Sequence, residues 1–230
     1  MSIAENLIHI REQIWKAAER SGRSPSEISL MAVSKTFPAS AIREAYLAGQ
    51  RLFGESRIQE FAGKAGATNT PGAEFHMIGH LQSNKTAKAA ELFSAVDSVS
   101  SLKLAAKLNN AAKELGKKLP ILIEINIGGE AAKSGIRPDE AELDVLLQAA
   151  TELPYLEIRG LMTVPPYSED PQDSRPFFKR MRELRDRIAS IRFSSVSMDT
   201  LSMGMSHDFM VAVEEGSTCV RIGTAIFGKR

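Results

Sequence analysis

Eight short runs rich in apolar and β-branched residues recur along these 230 residues, with helix-forming stretches between them. The strand candidates are Ile28 to Ser34, Arg51 to Gly54, Glu74 to Ile78, Ala95 to Val99, Pro120 to Ile127, Leu156 to Thr163, Thr200 to Met203 and Cys219 to Ile222. Helical patterns cover Ala39 to Ala48, Ser101 to Leu115, Glu140 to Glu152 and Ser174 to Ile191. Parallel strands need long crossovers, helices supply them, and right-handed crossovers roll such a sheet up. The run Ile121 to Ile127 is apolar and then alternates with Glu124 and Asn126, as barrel strands do when one face points inward near the mouth. Closure at eight, a (β/α)₈ TIM barrel of the α/β class, is the simplest count. An open doubly wound sheet would show the same alternation, which cannot see closure.

Ahead of the first strand, Ile3, Leu7, Ile10, Ile14 and Ala18 recur at helical spacing, with Ser2 as N-cap and Glu5 three places on, so an additional N-terminal helix is expected. No linker or short repeat interrupts the chain, and residues 1–230 read as one domain. The loop with most linker character, Val164 to Pro171, follows a strand, where barrels put functional loops.

Lysine plus arginine against aspartate plus glutamate is 29 to 28. No overall field draws the chain to nucleic acid or an anionic membrane, which leaves a small-molecule partner. No apolar run approaches the ~20 residues of a membrane span, and no basic-then-apolar leader opens the chain. A lone Cys219 in a strand suits a reducing cytoplasm and core packing. The helix patterns leave no strongly apolar outer face, so a monomer is expected.

In a barrel the chemistry belongs to the C-terminal rim, just past each strand. Ala32-Val33-Ser34-Lys35-Thr36 delivers a lysine from a dry strand into the mouth, where a free amine could form a Schiff base; on its own, a strand-end lysine more often snorkels to solvent. After the seventh and eighth strands come Leu201-Ser202-Met203-Gly204-Met205-Ser206 and Arg221-Ile222-Gly223-Thr224, at the two loops where barrels commonly bind phosphate. Ser202 and Thr224 offer hydroxyls, and Gly204 and Gly223 remove side-chain bulk. A phosphorylated ligand follows. His76 and His80, four apart on what begins as a strand, share a face but lie too far along it for chelation, and no third ligand stands near. His76 reads as a hydrogen-bonded histidine facing the pocket, His80 as a solvated one. A nucleophile elbow, a Walker loop and a Gly-x-Gly-x-x-Gly turn are not found.

Seven segments, Ala-Val-Ser-Lys-Thr at 32–36, Phe-Gly-Glu at 53–55, His-Met-Ile-Gly-His-Leu-Gln-Ser-Asn-Lys at 76–85, Lys-Ser-Gly-Ile at 133–136, Arg-Gly-Leu-Met-Thr at 159–163, Leu-Ser-Met-Gly-Met-Ser at 201–206 and Val-Arg-Ile-Gly-Thr-Ala-Ile-Phe-Gly at 220–228, together resemble the pyridoxal phosphate homeostasis proteins. These are similar to the barrel domain of alanine racemase. The resemblance implies a barrel of pyridoxal-phosphate fold type III, with Lys35 forming the covalent aldimine and Ser202, Gly223 and Thr224 holding the phosphate. It implies that Arg221 faces the pyridine nitrogen, where a permanent guanidinium discourages ring protonation and mutes carbanion chemistry. His76 joins these as a cofactor-binding candidate. One departure stands out: Ser56 occupies the place of the family's usual asparagine.

The expected role is therefore intracellular pyridoxal 5′-phosphate (PLP) homeostasis, with delivery to PLP-dependent apoenzymes as a further expectation. The alternative is a PLP-dependent amino-acid racemase. That needs a second base opposite the lysine, and Tyr167 is the one tyrosine on a rim loop. Val164 and Lys133 replace a histidine and an arginine that racemases carry, which favours the carrier. A barrel enzyme acting on a phosphorylated metabolite would leave Lys35 unexplained.

Overall fold

The computed structural model describes residues 1–130, 133–139, 141–191, 193 and 195–228. Eight strands form its centre: β1 (Ser29–Val33), β2 (Leu52–Glu55), β3 (Glu74–Met77), β4 (Ala95–Val99), β5 (Leu119–Ile125), β6 (Leu156–Thr163), β7 (Val196–Met205) and β8 (Cys219–Ile222). Each pairs in parallel with its neighbours in the chain, and β8 returns to β1 with Ser29 opposite Cys219 and Met31 opposite Arg221. The sheet is a closed barrel, so the open doubly wound alternative is excluded. All strand starts lie at one end, the base, and all strand ends at the other, the mouth.

Around the strands lie α2 (Ala39–Leu47), α3 (Ile58–Thr68), α4 (Thr86–Leu92), α5 (Leu102–Glu114), α6 (Ala141–Gln148), α7 (Arg175–Ile191), α8 (Phe209–Glu214) and α9 (Thr224–Phe227). The helix ahead of the barrel, α1 (Ile3–Arg20), starts as its sequence requires: Ser2 Oγ accepts the Glu5 amide at 3.2 Å while Glu5 accepts the Ser2 amide at 2.7 Å. It buries Leu7, Ile10, Ile14, Ala17 and Ala18 and packs on α2, α8 and α9, covering the seam where β8 meets β1. Arg20 pairs with Glu214 at 2.7 Å and fixes its far end to α8.

The core has two layers. Between strands and helices, Phe53, Phe75, Phe61 and Phe93 stack in series with ring centroids 5.2, 4.6 and 5.1 Å apart. Each fully buried ring of this kind contributes about 2 kcal/mol of transfer free energy. Inside the barrel, alternation sends Met31 and Arg221 to the axis, and both are almost wholly buried. Among the described residues, no helix is long and apolar enough to cross a membrane.

Candidate functional site

β1 ends at Val33, and the chain turns at once. The Phe37 amide donates to the Ser34 carbonyl at 3.1 Å, closing a four-residue turn with Lys35 and Thr36 at its corners. Thr36 has φ +68°, a left-handed conformation that a β-branched residue adopts only under constraint. The turn puts Lys35 in an exposed position at the mouth, and its Nζ has no hydrogen-bond or ion-pair partner among the described residues.

The loop after β8 lies against this strand. A Cβ on Gly223 would sit 3.4 Å from the Val33 carbonyl oxygen, so the backbone of the eighth loop runs in contact with the strand that carries Lys35. Thr224 follows at the first position of α9, and its hydroxyl is 3.4 Å from that of Ser206 in the loop after β7. Gly223, Thr224 and Ser206 thus meet on one rim. Ser202 does not join them. β7 runs on to Met205, which leaves Ser202 fully buried inside the barrel, its hydroxyl accepting from the Arg221 guanidinium at 2.7 Å. Ser202 stands below the rim beside Arg221, and the serine at the rim itself is Ser206. Asp208, not anticipated, shapes this loop by accepting the Met205 amide at 2.7 Å and the Ser174 hydroxyl at 3.1 Å. Its signal was an aspartate just before a helix, the residue type that caps helix starts. Gly204 has φ +94°, and a Cβ there would lie 2.5 Å from the Ala212 Cβ, so this glycine lets α8 close on the strand end.

Arg221 is an interior residue, not an exterior ion pair. It is 4% exposed and donates to the Thr163 carbonyl at 2.6 Å as well as to Ser202. Burial pulls its pKa down while Asp97, Asp208 and Glu124 among its neighbours push the other way; a guanidinium stays charged regardless. Glu124 is held above the usual carboxylate range by burial, against a Ser134 hydroxyl donated at 2.8 Å and the charge of Arg221. Its second oxygen, Oε2, is buried without a partner.

Other residues singled out in the sequence border the mouth. Ser56 sits where the loops after β2 and β3 touch, since a Cβ on Gly79 would fall 2.3 Å from the Ser56 carbonyl oxygen. With the exposed His80 and with Lys85 it lines a 270 Å³ cavity. Lys133 ties the loop after β5 to the loop after β6 through the Pro165 carbonyl at 3.1 Å and pairs with Glu130. Tyr167 is 81% exposed with its ring centroid 5.9 Å from that of His207.

His76 belongs to the other end. Its Nδ1 lies 3.1 Å from the Asp97 carboxylate and its Nε2 3.7 Å from Glu74. It lines a 350 Å³ cavity with residues at strand starts, among them Ser29, Leu52 and Cys219. The structure does not bring His76 to Lys35: its partners are at the base. Burial works to lower its pKa, but the Asp97 and then the Glu74 carboxylate hold it above the ordinary imidazole value. Cys219 packs there as a thiol, burial pushing its pKa up to about 12.

An unengaged lysine amine and a rim of hydroxyls and close-packed backbone thus meet at the mouth of one closed barrel. Residues 6–230 match the family described as alanine racemase, N-terminal domain. The pyridoxal phosphate homeostasis protein of Escherichia coli is 47% identical, the match covering 99% of this chain and 97% of that protein. PipY of Synechococcus elongatus, solved with PLP bound, is 38% identical with TM-score 0.86 over 99% of this chain and 100% of that one. An alanine racemase of Clostridium difficile, 17% identical with TM-score 0.71, shares the fold, and the match takes in 57% of its length. The chain belongs to the pyridoxal phosphate homeostasis proteins, within the alanine racemase N-terminal domain family.

Proposed function

We propose that this protein binds pyridoxal 5′-phosphate at the barrel mouth, holds it as a Schiff base on Lys35, and serves intracellular PLP homeostasis by releasing it to PLP-dependent apoenzymes. The observation that carries this is the meeting of an unengaged lysine amine with a rim of hydroxyls and close-packed backbone on the adjoining strand. The names of the full-length relatives and the PLP-bound structure of PipY support it.

The donor set fits the group. Ser206 and Thr224 offer hydroxyls, and Gly223 allows backbone approach, to a phosphate; Arg221 and the orphaned Glu124 Oε2 supply unspent polar capacity inside the mouth. When bound, PLP supplies an aldehyde for an amine and a ring that withdraws electrons. Arg221, oriented by Ser202 and Thr163, would face the ring nitrogen, and its permanent charge disfavours protonation there. That weakens the electron sink that racemisation needs, so the arrangement holds the cofactor rather than exploits it. We further infer a cytoplasmic monomer; the buried Cys219, kept as a thiol, supports the reducing compartment.

The test is a comparison of PLP with pyridoxal, which lacks the phosphate. Ser206→Ala and Thr224→Val are each expected to weaken PLP binding about tenfold, the size of one lost hydrogen bond to a charged group, and to leave pyridoxal binding unchanged. Equal losses for both ligands would remove the phosphate assignment. Steady production of D-isomers from L-amino acids by the loaded protein would overturn the holding role.

A further inference from the structure

We propose that Lys64, on α3, is the positioning residue for Lys35, gripping the strained turn that presents it. This rests on the reading that Lys35 carries the cofactor.

The turn Ser34–Phe37 is not self-supporting. Its single internal backbone hydrogen bond, Phe37 to Ser34, must hold Thr36 at φ +68°, where such turns normally place glycine. Support comes from outside. Lys64 Nζ donates to the Ser34 carbonyl and to the Phe37 carbonyl, both at 3.0 Å, so one ammonium holds both ends of the turn. The same Nζ lies 3.0 Å from Glu55 Oε1 and 3.1 Å from Glu60 Oε1. Glu60 Oε1 also accepts the Thr36 amide, and Glu55 Oε1 accepts the Ser34 hydroxyl at 2.6 Å. Each residue flanking Lys35 is thus fixed by a side chain from β2 or α3, while the Lys35 amine itself is left unengaged.

A purely stabilising cluster would be built otherwise. Lys64 is 12% exposed and Glu55 fully buried, with Glu55 Oε2 lacking any partner. Taking such charges from water costs much of what their attraction returns, and well-packed apolar residues often serve stability as well. What apolar residues cannot do is hold two carbonyls and an amide at chosen points. The clamp therefore fits a demand on direction: a reacting amine misplaced by about 1 Å can lose ~100-fold in its reaction.

The strain supplies the test. Glycine adopts positive φ without steric cost, so in Thr36→Gly the turn no longer needs the clamp. Covalent capture of PLP is read by absorbance titration, by the pH midpoint of that absorbance, and by the fraction of Lys35 labelled after borohydride. Lys64→Met is expected to lose roughly tenfold or more in capture and to shift the pH midpoint, with a cooperative thermal transition that falls to lower temperature as Glu55 loses its buried partner. Lys64→Arg should recover part of the loss. The double variant Lys64→Met with Thr36→Gly should return to within about threefold of wild type, a coupling between neighbours that a merely structural lysine would not show. Wild-type capture and midpoint in Lys64→Met, or no rescue by glycine, would overturn the proposal. Should Lys64→Met fail to fold, Glu60→Ala, which removes the acceptor for the Thr36 amide from a partly exposed side chain, is expected to show a smaller loss with the same glycine rescue; no loss there would equally overturn it. If wild-type protein itself carries no label on Lys35, the reading of the cofactor site fails instead, and the two failures are told apart.

Discussion

The two ends of this barrel hold polar groups in opposite ways. At the base, the 350 Å³ cavity is lined by side chains that answer one another: His76 lies between Asp97 at 3.1 Å and Glu74 at 3.7 Å. At the mouth, the Lys35 amine is unengaged and Glu124 Oε2 is buried without a partner; Glu55 Oε2, at the end of β2, is the same. Open volume does not pick out the mouth, where the cavity beside Ser56 and His80 is 270 Å³ against 350 Å³ at the base. Unspent hydrogen-bonding capacity points to the mouth, because buried polar atoms left unpaired in a folded chain ask for an explanation, and barrel enzymes build sites at strand ends.

The largest effect expected from breaking this contrast is at Arg221. Arg221→Met removes the donor to Ser202 and Thr163 and the charge facing Glu124, and is expected to cost about 3 kcal/mol in denaturant unfolding. Gly204→Ala should cost about 2 kcal/mol and weaken PLP binding, since α8 must back away from a Cβ only 2.5 Å from Ala212 and φ stays at +94°. At the base the expected effect is smallest and shows in pH. The folded-state pKa of His76 is raised, so its contribution is fully present below the ordinary imidazole value of about 6.5 and is lost as pH rises through the folded value. Unfolding free energies across that window should decline in wild type, the slope should flatten in His76→Asn, and PLP binding should be unaffected. A change in PLP affinity in His76→Asn would collapse the distinction between the ends.

Much of this was legible in the sequence. Periodicity and turn residues gave β4, β6 and β8 to the residue, and the capping box gave the start of α1. Four helices gave weaker signals: α3 contains Gly63 and Gly66, poor helix formers, and α4, α8 and α9 are seven, six and four residues long. What the sequence left open at the site has one cause. Alternation tells which face of a strand a side chain takes, and not how deep along the barrel it lies. β7 was expected to end at Met203 and ends at Met205, a two-residue difference that moves Ser202 from rim to interior and hands the rim to Ser206. His76 sits on β3 facing the axis as expected, but toward the strand starts. The clamp of Lys64 on the Lys35 turn was invisible, because it joins residues thirty apart through backbone carbonyls that leave no residue-type signature.

The most direct measurement is to load the protein with PLP, reduce it with borohydride and map the modified residue by mass spectrometry. An absorbing complex is expected before reduction, and a single phosphopyridoxyl label on Lys35 after it. A colourless protein, or a label on any other lysine, would contradict it.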